Sequence, residues 1–133
     1  RAADGLDGGR VALLLAVLEK RAGLRLFDQD VYINVAGGIT LSEPAADLPL
    51  CVAVASSLRD KPLPRNVAVF GEVGLSGEVR SVAHADRRLS ECARLGFDTC
   101  VLPGGNLRGL SPQDGVRLVG VDTVSEALQA LQL

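Results

Sequence analysis

Residues 11–18, VALLLAVL, constrain this chain more than any other stretch. At helical spacing Val11, Leu14, Leu15 and Leu18 form one face, while Leu13 and Val17 carry apolar surface to the other side. A helix apolar most of the way round must be buried most of the way round. Either it lies at the centre of the core or its second face meets another subunit. Its ends are marked too: Asp7 can cap a helix over about residues 9–22, and Gly23 stands just past its end as a stop.

Downstream, strand-like and helix-like segments alternate. DVYINVAGG (30–38) alternates and carries β-branched and aromatic residues, as a strand does. ADLPLCVAVASSL (46–58) reads as a second buried helix, in which Pro49 is tolerable only within the first turn. NVAVFGEV (66–73) and EVRSV (78–82) flank GLSG and read as a hairpin. A third helix spans about His84 to Leu95, with Leu89, Cys92 and Ala93 inward and Gly96 ending it. TCVLP (99–103) and GVRLVGV (115–121) read as buried strands, with GGNLRGLSPQDG (104–115) as a loop between them. TVSEALQALQL (123–133) is a last helix capped by Thr123, with Glu126 completing a capping box. The pattern predicts an α/β domain of the α+β type with a mixed sheet and packed helices. Its 133 residues suffice for one hydrophobic core but not two, so residues 1–133 form one domain. With aromatics at 3% and neither Trp nor Met, Leu, Val and Ala must build that core.

Several function classes drop out. No apolar run reaches the ~18 residues a membrane helix needs, and the N-terminus carries no signal-peptide pattern. Cys51, Cys92 and Cys100 show no CxxC spacing and read as small buried hydrophobes of a reducing cytosol. His84 is the sole histidine, so a metal cluster or a Ser-His pair has little material. There is no GxxxxGK[ST] loop to cradle a nucleotide. A net charge of -2 makes nucleic-acid binding a matter of local patches.

GGITLSEPAADLPL (37–50) invites a chemical reading, because glycines lead into Ser42 just ahead of an apolar helix. Ser42 would need a base, and its neighbours Glu43 and Asp47 are carboxylates of ordinary basicity, too weak for a serine hydroxyl. The expected role of Ser42, Glu43 and Asp47 is to supply oxygens and negative charge to the first turn of the second helix.

In order along the chain, DVYINVAGG, EPAADL, AVASSL, NVAVFGEVGLSGEVRSV, RRLSECARLGF and VLPGGN resemble the C-terminal, Lon-protease-like domain of the bacterial RadA/Sms DNA-repair family. RAADGLDGGRVALLLAVLEKRAGL is similar to the segment preceding it there. The resemblance covers nearly the whole chain and implies a Lon-protease-like (ribosomal protein S5 domain 2-like) fold. The family's initial hairpin has no counterpart here, which implies a piece of a longer protein. In the related Lon proteases the nucleophilic serine lies in DGPSAG at a helix start and its lysine partner in GGxKEK after the hairpin. Aligned without gaps on the shared hairpin, the serine falls on Ala45 and the lysine on Asp86. A Ser-Lys dyad needs a hydroxyl to attack and an amine to take its proton, and a methyl and a carboxylate supply neither. The alternative, a peptidase or peptide-binding module that kept the protease groove, loses its chemistry at these two positions.

What the resemblance implies instead is binding and assembly. The full-length proteins carry a zinc finger and a RecA-like ATPase ahead of this domain. They act in the cytoplasm in recombinational repair, driving branch migration as DNA-dependent ATPases in hexameric rings, with room for a recombinase partner and none for a membrane. Zinc, ATP and magnesium belong to those other domains, and no cofactor is expected in this one. In that setting the domain is a ring-forming scaffold that touches DNA. Arg1, Arg10, Arg80, Arg87 and Arg88 are the candidate contacts. The family resemblance places Arg1 and Arg10, flanking the start of the first helix, in a recurring arginine-x8-arginine arrangement. Their targets are phosphates, since nothing here resembles a base-reading helix or a stacking platform. Arg87, Glu91 and Arg94 follow i, i+4, i+7, so Glu91 is expected to pair with one or both arginines.

Overall fold

A computed structural model describes residues 1–133. The chain opens with β1 (Ala2–Asp4) and α1 (Gly8–Ala22), followed by β2 (Tyr32–Asn34). A single 3₁₀ turn, Pro44–Ala46, leads into α2 (Asp47–Leu58). Then come β3 (Val67–Val69), β4 (Glu72–Val73), β5 (Val79–Arg80) and α3 (Ala85–Arg94). The last part holds β6 (Thr99–Pro103), α4 (Gly104–Leu107), β7 (Arg117–Val121) and α5 (Val124–Ala130).

Strand pairing is mixed, but it divides among three small sheets. β1 and β2 pair in parallel, β4 and β5 pair antiparallel, and β3-β6-β7 form a parallel sheet with β6 central. Residues 66–73, read as one hairpin strand, serve two sheets: Val67–Val69 join β6, and only Glu72–Val73 join the hairpin. The switch falls at Gly71, where a Cβ would press on Val79, Leu48 and Pro103. The strand read over 30–38 shortens to Tyr32–Asn34, because Gly37 and Gly38 turn into the left-handed region at φ 87° and 70°.

β6 is buried on both faces, as the centre of a parallel sheet must be. Val101 and Val121 face the larger core with α1, α2 and α5, while Cys100 and Leu102 face a smaller one with Phe70 and α3. α3 contributes Ala85, Leu89 and Cys92, one stripe at i, i+4, i+7. This layering answers the question raised by VALLLAVL. Val11, Leu14, Leu15, Val17 and Leu18 are all buried in the single chain, in the core shared with α2 and α5. The helix is central to that core, while Leu13 stays half-buried.

The local signals at the helix ends hold where their partners are near in sequence. Asp7 accepts from the Arg10 N–H at 2.9 Å, and Gly23 adopts the left-handed conformation at φ 70°. Thr123 accepts from the Glu126 N–H at 3.1 Å, although Glu126 returns its bond to Asp122 N–H rather than to Thr123. The stretch read as a loop over 104–115 begins with the helical turn α4. Asn106 in that turn accepts from the Val82 N–H (3.0 Å) and donates to the Val82 carbonyl (3.1 Å), standing in for a strand partner. No helix is long and apolar enough to cross a membrane.

Candidate functional site

Ala45 lies within the smaller core, whereas Asp86 lies on the exposed side of the helix that packs onto it. Ala45 is 3% exposed and shares an apolar cluster with Phe70, Ala85 and Leu89, while its carbonyl accepts from the Gly71 N–H at 2.9 Å. Its methyl therefore packs against hydrocarbon. Asp86, one residue past Ala85, is exposed in the first turn of α3, where the helix dipole favours a negative charge. It lines a polar cleft of about 420 Å³ with His84, Ser90 and Ser111. No two of His84, Asp86 and Ser90 hydrogen-bond each other, and Ser90 instead accepts from the Gln113 amide at 3.3 Å. The relay of nucleophile, base and orienting acid that acyl transfer needs is not assembled here. No three His, Cys, Asp or Glu side chains converge as metal ligands.

The start of α2 departs from its expected chemistry. Ser42, Glu43 and Asp47 do not cap it: its N-cap residue is Ala46, without a side-chain bond. The backbone carbonyl of Gly71 takes the Leu48 N–H at 2.9 Å, so tertiary structure performs the capping. Glu43 reaches across to Arg88 at 2.8 Å. Asp47 does place its charge in the first turn, yet it is 4% exposed and points into the protein. There it accepts from Arg10 on both carboxylate oxygens, at 3.1 Å from Nε on one, and from the Val73 N–H at 3.0 Å. Arg10 also donates to the Val73 carbonyl at 2.8 Å. One bidentate pair thus ties α1, α2 and β4 together. Hydrogen bonding to Asp47 raises the Arg10 pKa still further, so it stays charged at any working pH.

The candidate DNA-contacting arginines fall into two kinds. Arg1 does not flank the start of α1; its guanidinium meets the far end, donating to the Leu26 carbonyl at 2.7 Å and reaching Glu19 at 3.4 Å. Arg10 is committed to Asp47, although its side chain remains 39% exposed. Arg80 sits between Glu78 at 3.0 Å and Glu72 at 3.8 Å. Arg88 pairs with Glu43, donates to the Ala83 carbonyl at 3.1 Å and lies over the Phe70 ring. Arg87 alone of the five has no ion pair, because Glu91 pairs with Arg94 and not with Arg87. Six of the 14 lysines and arginines are paired, and the other eight are free. Three of the free ones, Arg59, Lys61 and Arg65, lie in one fully exposed loop that sequence reasoning passed over. Its signal was the stretch RDKPLPR itself.

Comparison with known proteins places this geometry among relatives. Residues 18–132 match the family described as Lon protease (S16) C-terminal proteolytic domain. The chain is 49% identical over 129 residues to the DNA repair protein RadA of Bacillus subtilis strain 168, covering 97% of the chain and 28% of that protein. It is 48% identical over 128 residues to the DNA repair protein RadA of Escherichia coli K12, covering 96% of the chain and 28% of that protein. Against its counterpart in Streptococcus pyogenes serotype M3 (strain MGAS315) the identity is 47% over 131 residues, covering 98% of the chain and 29% of that protein. The chain therefore spans less than a third of the length of these relatives.

Proposed function

Given that the chain belongs to the Lon protease (S16) C-terminal proteolytic domain family, we propose that it keeps that fold as a non-proteolytic module of a DNA-repair protein. The observation that carries this reading is the pair at the dyad positions. A buried methyl at Ala45 and an exposed carboxylate at Asp86 offer neither nucleophile nor amine base. The relatives named DNA repair protein RadA support the repair context.

In this reading the domain is a ring-forming scaffold that also touches DNA. The longer protein is a cytoplasmic, DNA-dependent ATPase whose zinc, ATP and magnesium sites lie in other domains. It acts as a hexamer in recombination and branch migration, alongside a recombinase. At net charge -2 one domain binds DNA only through cations free of carboxylate partners. Arg87 meets that condition best among the five candidates, while Arg1, Arg10, Arg80 and Arg88 must share their charge with internal partners. Six subunits supplying one or two phosphate contacts each would neutralise on the order of 6–10 phosphates and lose roughly 10³–10⁵ in affinity between 50 and 200 mM salt. A single domain should bind barely at all.

The test is duplex binding by fluorescence anisotropy across a salt series, with the mass followed by light scattering. Affinity should track oligomerisation and ignore base sequence. Arg87→Ala should flatten the salt slope and weaken all sequences alike, without changing the melting temperature. Unchanged binding by that variant moves the DNA role off this residue, and casein cleavage by the parent would end the non-proteolytic reading.

A further inference from the structure

One flank of α2 borders a groove of about 660 Å³ whose other wall is β2, with Leu50 and Val54, each 8% exposed, at its floor. Leu50, Val54 and Leu58 of α2 and Ile33 of β2 supply its apolar lining, and Ala53 lies exposed along its wall. That volume lies within the range of ligand pockets, roughly 300–1,000 Å³. Neither Ala45 nor Asp86 lines it.

The β2 side of the groove is a strand edge with unused main-chain groups. Val31 accepts from Ala2 and Val35 donates to Asp4, so alternation turns Val31, Ile33 and Val35 toward β1. The N–H and C=O groups of Tyr32 and Asn34 face the other way, into the groove, and take no partner within the chain. An edge of this kind is a template for one more strand. The charge of the groove is one-signed: Asp30 and Asp60 are the only charged residues lining it, and neither has an ion-pair partner. Asp30 stands just ahead of β2 and Asp60 just beyond α2, and both line the groove. The C-terminus of α2 adds its negative dipole there.

We propose that this groove binds an extended peptide segment of a partner protein, by adding a strand to the β2 edge. Main-chain bonds go to Tyr32 and Asn34, alternate apolar side chains lie against Leu50, Val54 and Leu58, and a lysine or arginine meets Asp30 and Asp60. Arg59 and Lys61 flank Asp60 in sequence but do not line the groove.

Tyr32 is the only tyrosine and there is no Trp, so its fluorescence reports on the groove directly. The probe is a blocked hexapeptide, lysine-valine-threonine-valine-threonine-lysine, titrated into the 133-residue chain. Expected are saturable binding seen by Tyr32, at least tenfold weaker binding of the same peptide with glutamate at both ends, and a similar loss in the Asp30→Asn, Asp60→Asn double variant. Asn tolerates the left-handed backbone of Asp60, and circular dichroism checks that the variant folds. Two further peptides carry N-methyl groups on one or the other alternate set of amides. Strand addition requires one set to be tolerated and the other to abolish binding. Equal tolerance of both sets, equal affinity for the glutamate peptide, or no binding at millimolar peptide overturns the proposal. So does a Tyr32 signal that changes with protein concentration in the absence of peptide, since a second copy would then own the groove.

Discussion

Removing the Arg10 guanidinium tests the central claim about the start of α2. In Arg10→Ala the Asp47 carboxylate, 5% exposed, keeps a single donor, the Val73 N–H at 3.0 Å. Breaking a fully buried pair by deleting one partner costs about 3–5 kcal/mol. Here the vacated guanidinium, 39% exposed, opens a path for water, so about 2–3 kcal/mol is expected. Asp47→Ala should cost about 2 kcal/mol, chiefly because the Val73 N–H is left buried without an acceptor. At about 2.1 cal/mol/K per residue, 133 residues lose about 3–4 °C in melting temperature per kcal/mol. Arg10→Ala should therefore melt about 7–11 °C below the parent. Because the two residues act as one unit, the double variant should cost at least about 1 kcal/mol less than the sum of the singles. The assay is thermal unfolding by circular dichroism at pH 7, repeated at high salt, where a largely buried pair is little screened. A melting temperature within 2 °C of the parent, additive single variants, or a penalty that vanishes in salt would refute the reasoning. In that case Arg10 is an available surface cation after all.

Burial pushes the Cys51 and Cys100 thiols up to about 12 and raises that of Cys92, so all three are protonated at pH 8. The native protein should react with Ellman's reagent only as fast as it unfolds, and a fast stoichiometric reaction would falsify this. Hydrogen bonding to Arg94 holds the exposed Glu91 carboxyl below the usual range. A depressed folded value means that the contribution of the pair is present above the unfolded pKa of about 4.3 and lost as pH falls through the folded one. Carboxyl NMR titration should move Glu91 back to the ordinary range in Arg94→Gln, and no movement would sink the assignment. Thr123→Ala deletes the side-chain cap of α5 and should cost about 1 kcal/mol by urea unfolding, whereas no change in midpoint would mean that the cap is idle.

The sequence by itself determined what depends on neighbours a few residues apart. Asp7, Gly23 and Thr123 mark helix ends because a cap and its target lie within a turn of each other. The burial of VALLLAVL follows from the arrangement of its side chains around one helix, and the absence of a hydroxyl at Ala45 and of an amine at Asp86 follows from residue identity. Only the tertiary structure decided which polar groups meet across long stretches of chain. Asp47 looked like a cap, but Arg10, 37 positions away, draws it inward. The capping of α2 passes to the Gly71 carbonyl, whose position no local pattern specifies. The split of residues 66–73 between two sheets, and the open edge of β2, likewise depend on which strands arrive as neighbours. A carboxylate before an apolar helix can cap it or cross the core, and the two differ by a few hydrogen bonds. The choice falls to whichever partner the rest of the fold delivers.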